Sequence, residues 1–437
     1  MSLLQVRQHI LEGPMRPLQW QVVAIGVLVN MLDGFDLLAA SLIAPIITRE
    51  WGLQPEALGM LLSASLLGTS IGAFVLSPLA DVLGRRTSIM LNLGLMAVGM
   101  MLSARAESIW MLTVLRVLTG MGVGAMASAV GTLVFEYSSK NTRELGLGLV
   151  TIGYNVGVVL GTLFAAWFLG RYSWPAIFVL GGVLTLLLIP VVYFLLPESL
   201  DYLVARPKAN SLMQINKVLK RLAIPLLTTM PTPSVRAQQG GLMDLLRQPI
   251  LPRTLMMGLS YCLYMMSSYF FLSWANQLTV DAGFADAVGL SVSRLTNIGG
   301  IAGGIIIGLI CYKMAFRAIS TAILILMGVF IMIFGRVAGN IMFVEVVSFL
   351  IGFGIFGAAV VLYSTAAKTF PARVRATGVG ISMGAGRFGA FVGPLMAGYL
   401  LGADLGRALT CLIMAVPVII AAFTLLRVPL TPIDGEV

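Results

Sequence analysis

The chain has 437 residues, 58% of them hydrophobic and only 11% charged, with a net charge of +10 and a mean hydropathy of +0.97. Soluble domains carry about 25% charged residues, so a chain this long and this apolar has lipid as its main solvent. The basic excess sits in loops between apolar runs, which argues for a membrane surface and against nucleic acid as the partner.

Cys262, Cys311 and Cys411 each lie inside an apolar run, and the lone His9 lies in the polar N-terminal stretch. Neither a disulfide framework, a metal cluster nor histidine chemistry is expected from that placement. No nucleophile–base set or phosphate loop is present either, so the composition speaks against an enzyme.

A helix crosses the hydrocarbon with roughly 20 apolar residues. In chain order, spans are expected at about 20–48, 57–80, 87–105, 109–135, 145–169 and 174–196, then at 254–279, 287–311, 318–337, 342–367, 376–401 and 405–426. The first run is longer than a signal-peptide core and lacks a small-residue cleavage site, so it is expected to be retained. Between the two sets of six lies 197–253, polar and rich in proline, which reads as a cytoplasmic linker with short surface helices. The expectation is an all-α membrane protein of twelve transmembrane helices in two six-helix bundles, 1–196 and 254–437.

Orientation follows from the loop cations. Arg49, Arg105, Arg171, Arg336 and Arg407 fall on one side; Arg116, Arg294 and Arg387 lie within spans; every other Lys and Arg falls on the side that carries both termini. That side is expected to be cytoplasmic.

The halves are also repeats of one another. A shift of 232 carries Gly120, Gly122, Gly146, Gly148, Gly157, Gly161 and Gly170 onto Gly352, Gly354, Gly378, Gly380, Gly389, Gly393 and Gly402, and Arg143 onto Arg375. Duplicated halves of this kind place a substrate site between them, near the midplane, and work by rocking.

The first span holds Asp33-Gly34-Phe35-Asp36. A charge at mid-membrane costs at least ~2.5 kcal/mol, so intramembrane acids are functional candidates. Their i,i+3 spacing puts both carboxylates on about one face, and two close carboxylates in low dielectric favour holding a proton on one of them. Asp33 and Asp36 are therefore the expected proton-coupling pair. Arg116 lies some seven residues into the fourth span, roughly 10 Å along the helix, and Arg387 lies near the middle of the eleventh. Each is a natural partner for a substrate carboxylate or, alternatively, for Asp33 or Asp36. Aromatic side chains are available to flank a ring: Phe35, Tyr154 and Trp274 foremost, with Tyr261, Tyr264, Tyr269 and Phe388 behind them. Asn155, which the repeat sets opposite Arg387, joins the expected substrate-binding set. Arg294 is left between the eighth span and its outer mouth, and Glu345 is expected to be solvated at a helix end.

The loop after the second span reads Ser77-Pro-Leu-Ala-Asp81-Val82-Leu-Gly84-Arg85-Arg86. It resembles the G-x-x-x-D-R/K-x-G-R-R signature of the major facilitator superfamily, with Asp81, Gly84, Arg85 and Arg86 matching, Ser77 in place of the first glycine and Val82 in place of the basic residue. Asp81 is expected to latch a neighbouring span in one state only. Glu136, Lys140 and Arg143, with the repeat mate Arg375, form a second expected gate group. The C-terminal counterpart of the loop, Gly308 to Arg317, carries Tyr312 where the acid belongs.

With Asp-Gly-x-Asp in the first span, Arg116, Glu136, Pro197-Glu198-Ser199 and Gly384-Ala-Gly386-Arg387-Phe-Gly389 through Gly393-Pro394, the chain resembles the aromatic acid:proton symporter family over nearly its whole length. It departs at Ala275-Asn276, where a Leu-Pro is usual. The resemblance implies import of a benzoate-like, hydroxylated aromatic or muconate-type acid with protons across a bacterial inner membrane. It implies no cofactor beyond the coupling proton, and the chain is expected to work as a monomer. A drug or metabolite exporter of the same fold is the main alternative. The fifth span, with Gly153, Gly157 and Gly161 but no proline among them, lacks the G-x-x-x-G-P pattern of such exporters.

Overall fold

The computed structural model describes residues 3–207, 209–230, 245, 248, 250–311, 316–337, 339–371 and 374–428. Among them the regular structure is helical. A short amphipathic helix α1 (Leu3–Glu12) precedes α2 (Pro17–Trp51), α3 (Pro55–Val75), α4 (Leu79–Leu83), α5 (Arg85–Ser103), α6 (Ile109–Tyr137), α7 (Arg143–Leu169) and α8 (Pro175–Leu195). Two short helices, α9 (Leu200–Ala205) and α10 (Ser211–Arg221), lead to the second set: α11 (Leu251–Asp281), α12 (Asp286–Cys311), α13 (Phe316–Phe334), α14 (Ile341–Thr369), α15 (Arg375–Gly402) and α16 (Gly406–Leu426).

Ten of these helices are long and apolar enough to cross a membrane. Two more complete the sets of six. One is α13, whose apolar stretch Ala318–Phe334 is shorter. The other is the 28-residue α15, diluted in hydropathy by glycine and Arg387. The protein is thus a multi-pass membrane protein of twelve spanning helices.

The repeat appears in the coordinates as equal helices. Helices α6 and α14 are both 29 residues long and start 232 positions apart. Their N-caps are related by the same shift: the Ser108 hydroxyl accepts from the Met111 amide, and the Asn340 side chain accepts from Phe343. Packing repeats as well. Helix α3 packs on α6 as α12 packs on α14, and α2 lies on α7 as α11 lies on α15. The glycines explain why. A Cβ on Gly120 would lie 2.1 Å from the Ser65 carbonyl oxygen, and one on Gly352 would lie 1.8 Å from that of Thr296. Likewise Gly157 abuts the Met31 carbonyl and Gly389 that of Cys262, each at 1.9 Å from such a Cβ. Backbone-to-backbone packing of this kind is how helices associate where lipid supplies no hydrophobic contrast.

The second span ends earlier than its apolar run suggests. Pro78 and Gly84 bracket a separate one-turn helix, α4, so Asp81 sits in a corner and not on a spanning helix. The stretch after α8 is also more integrated than a linker. Leu200, Tyr202, Leu203, Ile215, Leu219 and Leu222 bury themselves in one apolar cluster with Val6, Ile10 and the nearby ends of α2, α5 and α6. The Asn216 side chain receives the Leu227 amide at 2.8 Å and donates to its carbonyl. Residues 197–227 are therefore a platform under the N-terminal set. Residues 231–244 of the expected linker lie outside the described residues, as do Tyr312 and Lys313 of the second loop.

Candidate functional site

The two sets meet along a seam formed by α2 against α11, α3 against α15 and α7 against α12. Toward one end the seam is sealed. The Ser41 hydroxyl donates to the Ser273 carbonyl at 2.6 Å, and the Asn276 amide donates to the Ser41 carbonyl at 2.8 Å. Arg49 pairs with Asp286 at 2.5 Å, and a Cβ on Gly59 would lie 2.9 Å from the Gly398 Cα. At the opposite end the charged side chains pair within their own sets.

Helix α2 brings its two acids to the site but turns them to different neighbours. Asp36 faces the interior of the N-terminal set. Its Oδ1 receives Arg116 Nη1 at 2.8 Å, and both residues are fully buried. Arg116 Nη2 donates to the Ser103 hydroxyl at 2.7 Å, and the guanidinium carbon stands 4.6 Å from the Phe178 ring centroid. Arg116 is thereby enclosed by α2, α5 and α8, away from the seam.

Asp33 is placed otherwise. Gly34 lets α2 touch α7: a Cβ there would lie 2.2 Å from the Tyr154 carbonyl oxygen. That contact brings the α2 turn carrying Asp33 against α7 at Tyr154. Asp33 is 2% exposed, makes no ion pair among the described residues and leaves Oδ1 without a hydrogen-bond partner.

Helix α7 adds Tyr154 and Asn155. The Tyr154 ring reaches across the seam to Phe356 of α14, centroids 6.4 Å apart. Its hydroxyl and the Asn155 Oδ1 are buried and unpartnered. From the other set, half-buried Arg387 crosses the seam and donates from Nη1 to the Thr69 carbonyl at 2.8 Å. Tyr154 and Phe356 thus meet across the seam, with the unpartnered Asp33 and Asn155 oxygens on the N-terminal side and Arg387 reaching over from the other set.

Besides Asp36 and Arg116, two further expected site residues stand outside this group. The Phe35 ring fills the notch left by Gly161 of α7 and Gly181 of α8, where Cβ atoms would lie 2.4 and 2.6 Å from it. The Trp274 indole donates to the Pro394 carbonyl at 3.0 Å and ties α11 to α15. Of the lesser aromatics, Phe388 is 63% exposed and points outward, while the Tyr264 hydroxyl donates to the Ile355 carbonyl at 2.7 Å. Arg294 is half-buried in α12, where it donates to the Ser291 hydroxyl at 3.2 Å, and Ser291 donates to Glu345. Sequence reasoning missed Phe356 and Ser103. Nothing in the sequence marks either.

At the opposite end, Arg85 is the hub. It pairs with Asp81 at 2.8 Å, one turn away, and approaches Glu136 of α6 at 3.9 Å. The partner of Asp81 is thus the first residue of the next span, α5, and the Asp81 side chain is 62% exposed. Gly84 adopts φ +100°, and a Cβ there would lie 2.4 Å from Glu198 Oε2, so only glycine fits. The Arg86 amide donates to Glu198 Oε1 at 3.1 Å, and its guanidinium lies over the Tyr193 ring at 5.0 Å. The Tyr137 hydroxyl donates to the Glu198 carbonyl at 2.7 Å. Arg143 instead stacks on Phe135, 3.7 Å from the ring centroid. Arg375 donates to the Phe370 carbonyl of its own set at 3.4 Å.

Comparison with known proteins bears on this arrangement. The chain is 32% identical over 414 residues to the 4-hydroxybenzoate transporter PcaK of Pseudomonas putida, covering 91% of this chain and 90% of that one. It is 30% identical over 425 residues to a gallate transporter of the same species, covering 97% and 94%. The benzoate transport protein of Acinetobacter baylyi is 24% identical, covering 99% and 96%. Among solved structures, a bacterial homolog of the human lysosomal transporter Spinster superposes with a TM-score of 0.69 at 14% identity, over 94% of this chain and 97% of that one, which shows the shared fold. The family model for the Major Facilitator Superfamily matches residues 26–394, and with two pseudo-symmetric six-helix sets around one seam, the chain belongs to that superfamily of transporters.

Proposed function

We propose that this transporter imports an aromatic carboxylate together with protons, by alternating access. The observation that carries the reading is the polar content of the seam: a half-buried guanidinium, Arg387, reaches across it to the Thr69 carbonyl, and a buried carboxylate, Asp33, keeps Oδ1 unpartnered near Tyr154, whose ring meets Phe356 of the other set. Arg387 supplies the planar fork that suits a carboxylate. Tyr154 and Phe356 offer ring faces at the seam, and an aromatic pair is worth about 0.5–1.5 kcal/mol beyond its burial. Asp33 is the proton carrier. A buried charge with no counterion resists being carried through the closed state, whereas a protonated carboxyl crosses at lower cost. Asp36, paired with Arg116, holds α2 in register and does not share that task. The identities to transporters of 4-hydroxybenzoate, gallate and benzoate support an aromatic acid as substrate.

The end carrying Asp81 and Arg85 is the cytoplasmic face of a bacterial inner membrane, as the loop cations favour, and both termini lie on it. The coordinates then correspond to an inward-facing state, sealed outside by Arg49–Asp286 and the Ser41–Ser273 contact. Residues 1–196 and 254–437 are the two rocking units, and a monomer contains the complete pathway. In the outward-facing state Asp81 leaves solvent for the other set. The reading is tested by uptake of labelled 4-hydroxybenzoate into proteoliposomes. An inward proton gradient should drive accumulation above the equilibrium of protein-free vesicles; gradient-independent equilibration alone overturns proton coupling.

A further inference from the structure

Away from the seam, a cavity of about 370 Å³ lies between the C-terminal turns of α13 and the start of α14, lined by Val329, Met332, Ile333, Arg336, Val337 and Phe343. Phe343 and the seam residue Phe356 stand about 20 Å apart along α14, so the two sites are distinct. The lining is graded in depth. Arg336 stands just past the end of α13, Met332 and Ile333 lie below it, and Val329 is about 10 Å deeper. Around the mouth Ile341, Met342 and Val346 are exposed, as are Val329 and Phe343 within it, so the groove opens onto the apolar surface that lipid covers. The turn that presents Arg336 is fixed from two sides. The Arg336 amide donates to the Ile333 carbonyl at 2.9 Å, and Arg407 of α16 donates to the Val337 carbonyl. The exposed Arg336 side chain takes part in no ion pair among the described residues.

A guanidinium at the head of an apolar groove suits an amphiphile with an anion at one end. In a bilayer, phosphate lies at the level of a helix end and acyl chain below it, which is the order of polarity from Arg336 down to Val329. We propose that this groove is a site for an anionic phospholipid, its headgroup phosphate on Arg336 and one acyl chain along Val329, Met332, Ile333 and Phe343. The lipid belongs to the leaflet at the end opposite the Asp81–Arg85 corner. A lipid that merely solvates the helices has no headgroup preference. A basic side chain at the membrane surface favours an anionic lipid by about fivefold, so Arg336 turns an apolar groove into a selective one.

The test uses the full-length transporter in vesicles doped with phosphatidylglycerol or phosphatidylcholine of identical chains, each carrying a photoreactive group in one acyl chain. Labelled peptides are located by mass spectrometry. In the wild type, labelling at Met332, Ile333 and Phe343 should be about fivefold higher with the glycerol lipid. In Arg336→Gln that preference should vanish, while labelling elsewhere on the lipid-facing helices stays unchanged. Arg336→Lys should restore most of it. Equal wild-type labelling by the two lipids overturns the proposal, because the groove is then ordinary bilayer contact. So does a preference that survives in Arg336→Gln. Loss of the label on adding inorganic phosphate or 4-hydroxybenzoate at constant ionic strength also overturns it, since the occupant is then a free anion. Should Arg336→Gln fail to insert, the wild-type ratio and its response to the free anions decide the matter.

Discussion

Removing one partner of the Asp36–Arg116 pair should unfold the N-terminal set far more readily than removing both. The pair is 2.8 Å long and neither side chain is exposed. Arg116 has one further anchor, the Ser103 hydroxyl at 2.7 Å. Asp36→Leu strands a guanidinium among α2, α5 and α8, and Arg116→Met strands a carboxylate there. Breaking a buried pair from one side costs about 3–5 kcal/mol, whereas replacing both members by apolar residues of similar volume is often near neutral. Each single variant should therefore lose about 3–5 kcal/mol. The double variant Asp36→Leu/Arg116→Met should return to within about 1–2 kcal/mol of the wild type, a coupling well outside additivity. Unfolding in mixed micelles with a rising fraction of denaturing detergent reads these differences directly. Single variants within about 0.5 kcal/mol of the wild type would refute the placement of Arg116 as a sealed structural cation.

Three further outcomes follow from the same coordinates. Asp33→Asn keeps the shape of the seam but holds no transferable proton, so substrate exchange across loaded vesicles should persist while gradient-driven accumulation is lost; loss of both would place Asp33 in the fold instead. Gly34→Ala puts a methyl 2.2 Å from the Tyr154 carbonyl oxygen and should cost about 1–3 kcal/mol in the same unfolding assay. Gly94→Ala, with nothing within 4 Å of the added Cβ, should be neutral by that assay. Finally, a short bifunctional thiol reagent bridging Arg49→Cys and Asp286→Cys should lock the outer end shut and arrest uptake, and reagent-insensitive transport would deny that this end must open.

Much of the architecture was legible before any coordinates. Hydropathy placed the spans, and the 232-residue repeat already contained the equal helices α6 and α14 with their caps at Ser108 and Asn340. The gate corner was recognisable from Asp81, Gly84, Arg85 and Arg86. Less could be read of directions. Asp33 and Asp36 are three residues apart and share a face in projection, yet α2 runs between α6 and α7, so a rotation of about 60° between the two acids is enough to send one to Arg116 and the other to the seam. Phe35 lies between two functional acids in sequence, but its ring faces away into the space that Gly161 and Gly181 leave; only the partner helices reveal that. The platform after α8 was concealed by its polar composition and its prolines. Its apolar stripe, Leu212, Ile215, Val218, Leu219 and Leu222, has helical spacing and was readable in principle.

The most direct test of the whole account follows protons and substrate together. Vesicles containing the transporter and a trapped pH-sensitive dye are given external 4-hydroxybenzoate with no pre-set gradient, and lumenal acidification is recorded against protein-free vesicles. Proton-coupled import through Asp33 predicts a substrate-dependent acidification above that background, absent in Asp33→Asn. Substrate entry without excess acidification, or equal acidification in the variant, would contradict it.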